Sequence, residues 1–261
     1  MNTESESKVV VLFLMILVVV TAPGYVQGTL AGNATAPSPG QDASQGIIYQ
    51  YATNTTKVHS ASVTVTLPQV TRPGDALIGA ISLPTIGPIA PTVTGVLEGK
   101  AKWQLAKAEM NAARDEDVEI WYTLDLDTAK TVSVTFQLSN DFSIGTLAVV
   151  VEIKVVTTHA LGGADVAQGD CASTCPITSG TVKTTSPNEL VVAFLGNNFM
   201  AASNSGEFNG SPTNGFKLLT TKDGVEFDYK IVPASQKVTT SDTFVDGSPF
   251  DWCGVVAGFF R

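Results

Sequence analysis

The sequence predicts an all-β fold: a jelly-roll-like β-sandwich built from two similar halves, behind an N-terminal signal segment and a short tail. Three observations carry this. Apolar and polar residues alternate with a period of two in several stretches, as in half-buried strands. The 261 residues include 23 Gly and 13 Pro, so turn signals recur about every ten residues, as in sandwiches and barrels. Four sequence blocks also recur in the same order along the two halves.

Composition narrows the function classes. A chain of 261 residues can bury a sizeable core, and its 44% hydrophobic content excludes disorder for most of it. Charged residues make up 15%, against roughly 25% in an average soluble protein. Net charge is −9 and pI about 4.6, which leaves no basic face for nucleic acid or anionic lipid. The two histidines, His59 and His159, are far apart in sequence, so His-rich metal sites and His-based triads are not expected.

The N-terminus reads as an export segment. Met1 to Lys8 is polar, and Val9 to Val20 is an unbroken apolar run. Such a run suits a signal-peptide core and falls short of the ~20 residues of a spanning helix. Residues 1–28 are therefore expected to be a signal peptide cut after Gly28. A signal anchor is the alternative, because Glu4 and Glu6 oppose the single Lys8. The expected location is secreted, extracellular or cell-surface. Residues 29–45 are rich in Ala, Gly, Pro and Ser and read as a flexible tail before a sandwich over 46–261.

Export gives meaning to two further features. Asn33, Asn54 and Asn209 open N-glycosylation sequons, the last followed by Pro212. Cys171 and Cys175 enclose three residues, which suits a small disulfide loop outside the cytosol, with a zinc site as the alternative. Cys253 lies in an apolar closing segment and reads as a buried thiol, an intermolecular bridge being the alternative.

The strands follow in order. Ile47 to Tyr51 is short and apolar. Ser62 to Leu67 alternates, with Val63, Val65 and Leu67 on the buried side. Pro73-Gly74-Asp75 turns into Ala76 to Ser82. Val118, Ile120, Tyr122 and Leu124 share a face, as do Val132, Val134, Phe136 and Leu138. Leu147 to Val156 is nearly all apolar, as in a strand covered on both sides. A short helical periodicity runs from Leu105 to Ala113.

The internal repeat aligns Asp75–Ala80 with Glu189–Phe194, Trp103–Leu105 with Phe216–Leu218, Val118–Tyr122 with Val225–Tyr229, and Phe142–Val149 with Phe250–Ala257. The halves, about 60–156 and 180–261, are expected to close over one shared core. Neither alone is expected to bury enough surface to stand as a domain.

The mature chain resembles a group of secreted bacterial and archaeal β-sandwich modules of poorly defined function. The resemblance covers about residues 60–261 and rests on several segments. These are Gly74-Asp75-Ala76-Leu77, Trp103-Gln104-Leu105, Ile120-Trp121-Tyr122, Thr131 to Phe136, Val151-Glu152-Ile153 and Thr184 to Ala193. Lys154-Val155-Val156 departs from the turn usual at that point. The resemblance implies the fold and an extracellular setting and brings no catalytic residues.

Chemistry-bearing candidates are few. Asp115 and Asp117, in the acidic stretch Arg114 to Glu119, and Asp125 and Asp127 after the next strand are weak calcium candidates. The stretch itself reads as a solvated turn, and no other cofactor is expected. Asp165 and Asp170 flank the cysteine loop. Glu152 lies two places from Lys154 and reads as a structural ion pair or backbone acceptor, since a hydrolase needs a second facing carboxylate and none stands out. No Gly-x-Ser-x-Gly elbow or phosphate loop occurs. Trp103, Trp121 and Trp252 could stack on sugars but read first as core or core edge.

The expected function is a non-enzymatic structural or adhesive surface protein, including a filament subunit assembled by strand exchange through Ile47, Ile48, Tyr49 and Tyr51. It resembles donor-strand filament subunits of archaea and bacteria. The competing reading of that segment is the first strand of its own sandwich. A carbohydrate-binding module is the alternative function, and a secreted hydrolase the third. Expected partners are other copies, surface proteins or glycans, with membrane contact only through an uncleaved signal segment.

Overall fold

The continuous apolar runs become sheets buried on both faces, and the alternating runs become the sheets that cover them. The computed structural model describes residues 48–56, 59–85, 87–99, 101–124, 133–141, 145–154, 161–198, 207–222, 224–245 and 249–259. The expected signal peptide, the tail, Asn33, Ile47, Asp125, Asp127 and His159 lie outside them.

The first half holds β1 (Ile48–Thr56), β2 (Ser62–Thr66), β3 (Ala76–Ser82), β4 (Val93–Leu97), β5 (Gln104–Met110), β6 (Asp117–Thr123), β7 (Ser133–Leu138) and β8 (Thr146–Ile153). Five form a sheet in the order β1-β8-β3-β6-β5, and three form a second sheet, β2-β7-β4. The second half holds β9 (Leu161–Cys171), β10 (Thr174–Thr178), β11 (Val182–Lys183), β12 (Glu189–Asn197), β13 (Glu207–Phe208), β14 (Lys217–Lys222), β15 (Val225–Val232), β16 (Lys237–Val238), β17 (Ser241–Val245) and β18 (Phe250–Phe259). Its sheets run β14-β15-β12-β18-β9 and β10-β17-β13, with a two-stranded β11-β16 ribbon added. Apart from that ribbon the two halves have the same order: each is a jelly roll whose described strands pair antiparallel.

The duplication extends to local defects. A β-bulge falls between Leu105 and Lys107 in β5 and between Leu218 and Thr220 at the matching place in β14. Another falls between Ile48 and Gln50, and its counterpart lies where Gly163 and Leu161 face Gly258 and Phe259. Gly74 and Asn188, each in the turn before the central strand, both take a left-handed backbone, with φ of 79° and 62°. Three of the four sequence blocks align as expected. The fourth is shifted by two residues: Val151 opposes Ile78 as Ala257 opposes Val192, so Val151, not Val149, matches Ala257. A two-residue slip keeps every side chain on its face, which is why pattern alone did not detect it.

The five-stranded sheets pack face to face. Ile78, Ile120 and Val149 of the first meet Val192, Phe194, Phe227 and Val255 of the second in one central cluster. Each three-stranded sheet covers an outer face. In the first half Val63, Val65, Val134 and Phe136 pack on Leu77, Ile81 and Val150. The result is four layers of three, five, five and three strands. The shared core is therefore only the central one, and each half also closes a core of its own. Truncating a fully buried aromatic there, such as Phe136, costs about 3–5 kcal/mol.

Three further expectations are corrected. The 105–113 segment is the edge strand β5, not a helix. Its bulge dephases the alternation, and pairing with β6 overrides a weak helical period. The halves start at Ile48 and Leu161, earlier than their patterns suggested, because β1 and β9 are edge strands of mixed composition. The acidic stretch is not a solvated turn: Glu116, Asp117 and Glu119 are 0–2% exposed.

Candidate functional site

The chemistry-bearing groups of this chain are buried carboxyls, gathered by strand alternation. Asp117, Glu119 and Trp121 occupy every second place on β6 and so share the face toward the first outer core. Glu119 accepts hydrogen bonds from the Val93 amide at 2.8 Å and from Trp121 Nε1 at 2.5 Å. The side chains of Asp117 and Glu119 face each other, and Asp117 Oδ2 has no hydrogen-bond donor. Burial, and then the neighbouring Glu119, pushes Asp117 up to about 10.

The second half repeats the glutamate and changes its neighbours. Glu226 stands where Glu119 does, since Leu195 opposes Glu226 as Ile81 opposes Glu119. Asp228 replaces Trp121, and Asp242 on β17 replaces Val134 on β7. Glu226 lies beside both aspartates, and neither of its oxygens has a hydrogen-bond donor. Thr240 Oγ1 donates to Asp228 Oδ2 at 3.2 Å, and the Thr243 amide donates to Asp242 Oδ1 at 2.6 Å. Burial and the Asp228 charge push Glu226 up to about 11, and burial lifts Asp228 to about 7. Gly210 makes room for this cluster, because a side chain there would collide with the Asp242 carboxyl.

A third group closes the sheet flank beside β1. Glu152 accepts from Gln50 Nε2 at 2.5 Å and from the Arg72 amide at 2.7 Å. Gln50 also bonds both the carbonyl and the amide of Gln69, pinning the loop before β3. Asp75 faces Glu152, and burial followed by the Glu152 charge lifts it to about 6. In the second half the place of Glu152 is Gly258. The carboxylate there comes from β12 instead. Glu189 Oε1 accepts from the Thr185 and Ser186 amides at 2.7 and 2.5 Å, while Glu189 Oε2 lies over Gly258. The two halves thus fix the same loop with carboxylates from different strands. The expectation for Glu152 as a backbone acceptor holds, and Asp75 is the facing carboxyl that the sequence reading missed.

One acid joins the halves. Ser82 Oγ donates to Glu116 Oε1 at 2.6 Å, and a Cβ on Gly196 of β12 would stand 2.7 Å from that oxygen. Burial raises the Glu116 carboxyl well above the usual range. Beside it Asp115 accepts from Asn111 Nδ2 at 2.7 Å and from Asn198 Nδ2 of the second half at 2.6 Å.

The sequence-stated candidates fall as follows. Cys171 and Cys175 form a disulfide that joins the end of β9 to β10. Cys253 is a buried free thiol whose Sγ faces the Glu116 carbonyl at 4.0 Å. Asn54 and Asn209 are exposed, and Asn54 Nδ2 donates to the Thr64 carbonyl at 2.6 Å. Ile48, Tyr49 and Tyr51 lie in β1, which pairs with β8 of its own chain. Asp115 and Asp117 serve separate networks, and among the described residues no three acidic, His or Cys side chains are placed to hold a metal ion. Amide donors reach both Asp115 oxygens. Asp165 accepts from the Thr181 amide at 2.9 Å, and His59 Nδ1 faces the Asp141 carbonyl at the same distance. Trp103 and Trp121 pack half-buried on the first outer core, and Trp252 is buried in the second.

The buried acids could have been found from one signal. In a chain of low charge, Asp117/Glu119 and Glu226/Asp228 recur at two-residue spacing inside strands whose other residues are apolar. Comparison with known protein families, curated proteins and solved structures finds no match.

Proposed function

We propose that the chain is a non-enzymatic, extracellular or cell-surface structural and adhesive protein whose copies join by adding strands at the β1 edge. The observation that carries this reading is the character of the edges. β5 bears Lys107, Glu109 and a bulge, and β14 bears Lys217, Lys222 and a bulge; such features block edge-to-edge pairing. β1 is also an edge strand, nine residues long, and carries no charge. It follows directly on the Ala, Gly, Pro and Ser rich tail, which supplies chain to reach a neighbour. The Cys171–Cys175 disulfide supports an oxidising, exported setting.

The acids support a structural role too. Carboxyl pairs of a glycosidase stand about 5 Å or more apart around an open cleft. Here Asp75 and Glu152 face each other nearly fully buried, and Glu152 with Gln50 is tied to the Gln69–Arg72 loop.

The test is the assembly state of native material by electron microscopy and light scattering. The full chain should form polymers. Deleting residues 29–52 should leave monomers, and so should Thr53→Lys, which places a charge on the edge while keeping the Asn54 sequon. Polymers that persist in both variants would discard strand addition at this edge.

A further inference from the structure

We propose that this fold is built to be held together in acid: its buried carboxyl clusters complete their hydrogen bonds only by sharing protons, so the folded chain takes up protons and tightens as its surroundings turn acidic. The inference does not depend on strand addition. It rests on donor and acceptor accounting. A carboxylate has acceptors only, so two facing carboxylates leave oxygens without donors, whereas one added proton supplies the missing donor.

The orphan oxygens lie where that proton is needed. Asp75 Oδ2, Glu116 Oε2, Asp117 Oδ2, both oxygens of Glu226 and Asp228 Oδ1 are buried with no conventional donor. Asp75 faces Glu152, Asp117 faces Glu119, and Glu226 faces Asp228 and Asp242. An orphaned buried charge is costly, and neutralisation removes that cost.

The surroundings reinforce the effect. Around Asp117, among the described residues, stand Glu119, Glu116 and Glu109, all acidic, with the Cys253 thiol facing from β18. Around Glu226 they are Asp228 and Asp242, with Thr240 the hydroxyl donor to Asp228. Glu116 has Ser82 as donor and Asp115 as charged neighbour. The Asp75/Glu152 pair faces the cations Arg72 and Lys154, and Asp75 is raised less than Asp117, Glu226 or Asp228, to about 6.

The sign follows from linkage. A carboxyl raised on folding makes the native state bind the extra proton. Its contribution is complete below the unfolded value near 4 and is lost as pH climbs toward the folded value. That value is about 7 for Asp228, about 10 for Asp117 and about 11 for Glu226. Each proton so held changes the folding equilibrium about tenfold per pH unit within its window. The sequence pI of about 4.6 places the lowest self-repulsion at the same acid end.

The test uses the full chain. Denaturant unfolding is followed from pH 9 to pH 4, and the infrared band of protonated carboxyl groups is recorded at pH 7. Stability should rise steadily as pH falls, and the protonated band should be present at pH 7. A flat or rising stability with pH, or no such band, overturns the proposal. Glu226→Gln should weaken the band and lower the pH dependence by about tenfold in the folding equilibrium per pH unit. Asp117→Asn should do the same from the other half if the first variant does not fold. A folded variant with an unchanged pH profile overturns the assignment to that cluster.

Discussion

The outer core of the first half is one continuous apolar cluster, whereas that of the second half is two. In the second half the three-stranded sheet covers one cluster, and the β11-β16 ribbon, which has no counterpart in the first half, contributes Val182 and Val238 to the other. Two substitutions mark the break between them. Trp121 and Val134 in the first half stand at the places of Asp228 and Asp242 in the second. Trp121 packs on the cluster and donates its indole N–H to Glu119, giving that glutamate a neutral donor beside its Asp117 neighbour. In the second half the corresponding Glu226 lies between two more carboxyls. They sit beside Leu195 of one apolar cluster and Ala193 of the other, at the break between them. Similar backbone plans thus support one continuous apolar core and one divided by carboxyls, and the added ribbon together with the side chains at two positions sets them apart.

The comparison can be broken by moving one feature across it. Val134→Asp would bring the second half's acid into the continuous core beside Phe136. It should cost about 3–5 kcal/mol at neutral pH and less in acid, read by denaturant unfolding. Asp242→Asn keeps an acceptor for the Thr243 amide and offers Glu226 an N–H donor. It should stabilise the chain by about 1–3 kcal/mol at pH 7, because one carboxyl fewer is buried in the cluster without a donor, as read by denaturant unfolding. Cys171→Ser removes a bridge with no counterpart in the first half. The closed loop is short, so the loss should be about 2 kcal/mol in thermal unfolding. Leu105→Gln and Leu218→Gln sharpen the comparison from the other side. Both residues are exposed at equivalent bulges, and each change should fall within about 0.5 kcal/mol.

Much of the architecture was legible because it rests on local periodicity. Alternation in Ser62–Leu67 and Val132–Leu138 marked strands covered on one side, and the unbroken run from Leu147 marked a strand covered on both. β5 was not legible. An edge strand exposed on much of its surface has little hydrophobic signal, and its bulge mixes the two periods. Asp75 as the partner of Glu152 was not legible either, because strands far apart in sequence bring the two carboxyls together across β3 and β8.

The sequence by itself determined the strand content, the duplication and the cysteine bridge, since these follow from residue spacing within short windows. Only the tertiary structure decided that the halves stack as four layers, that β1 closes against β8, and that the acidic stretch is buried. Burial depends on what packs above a strand. Asp117 and Glu119 read as soluble residues until the sheet formed by β2, β7 and β4 covers the face on which they lie.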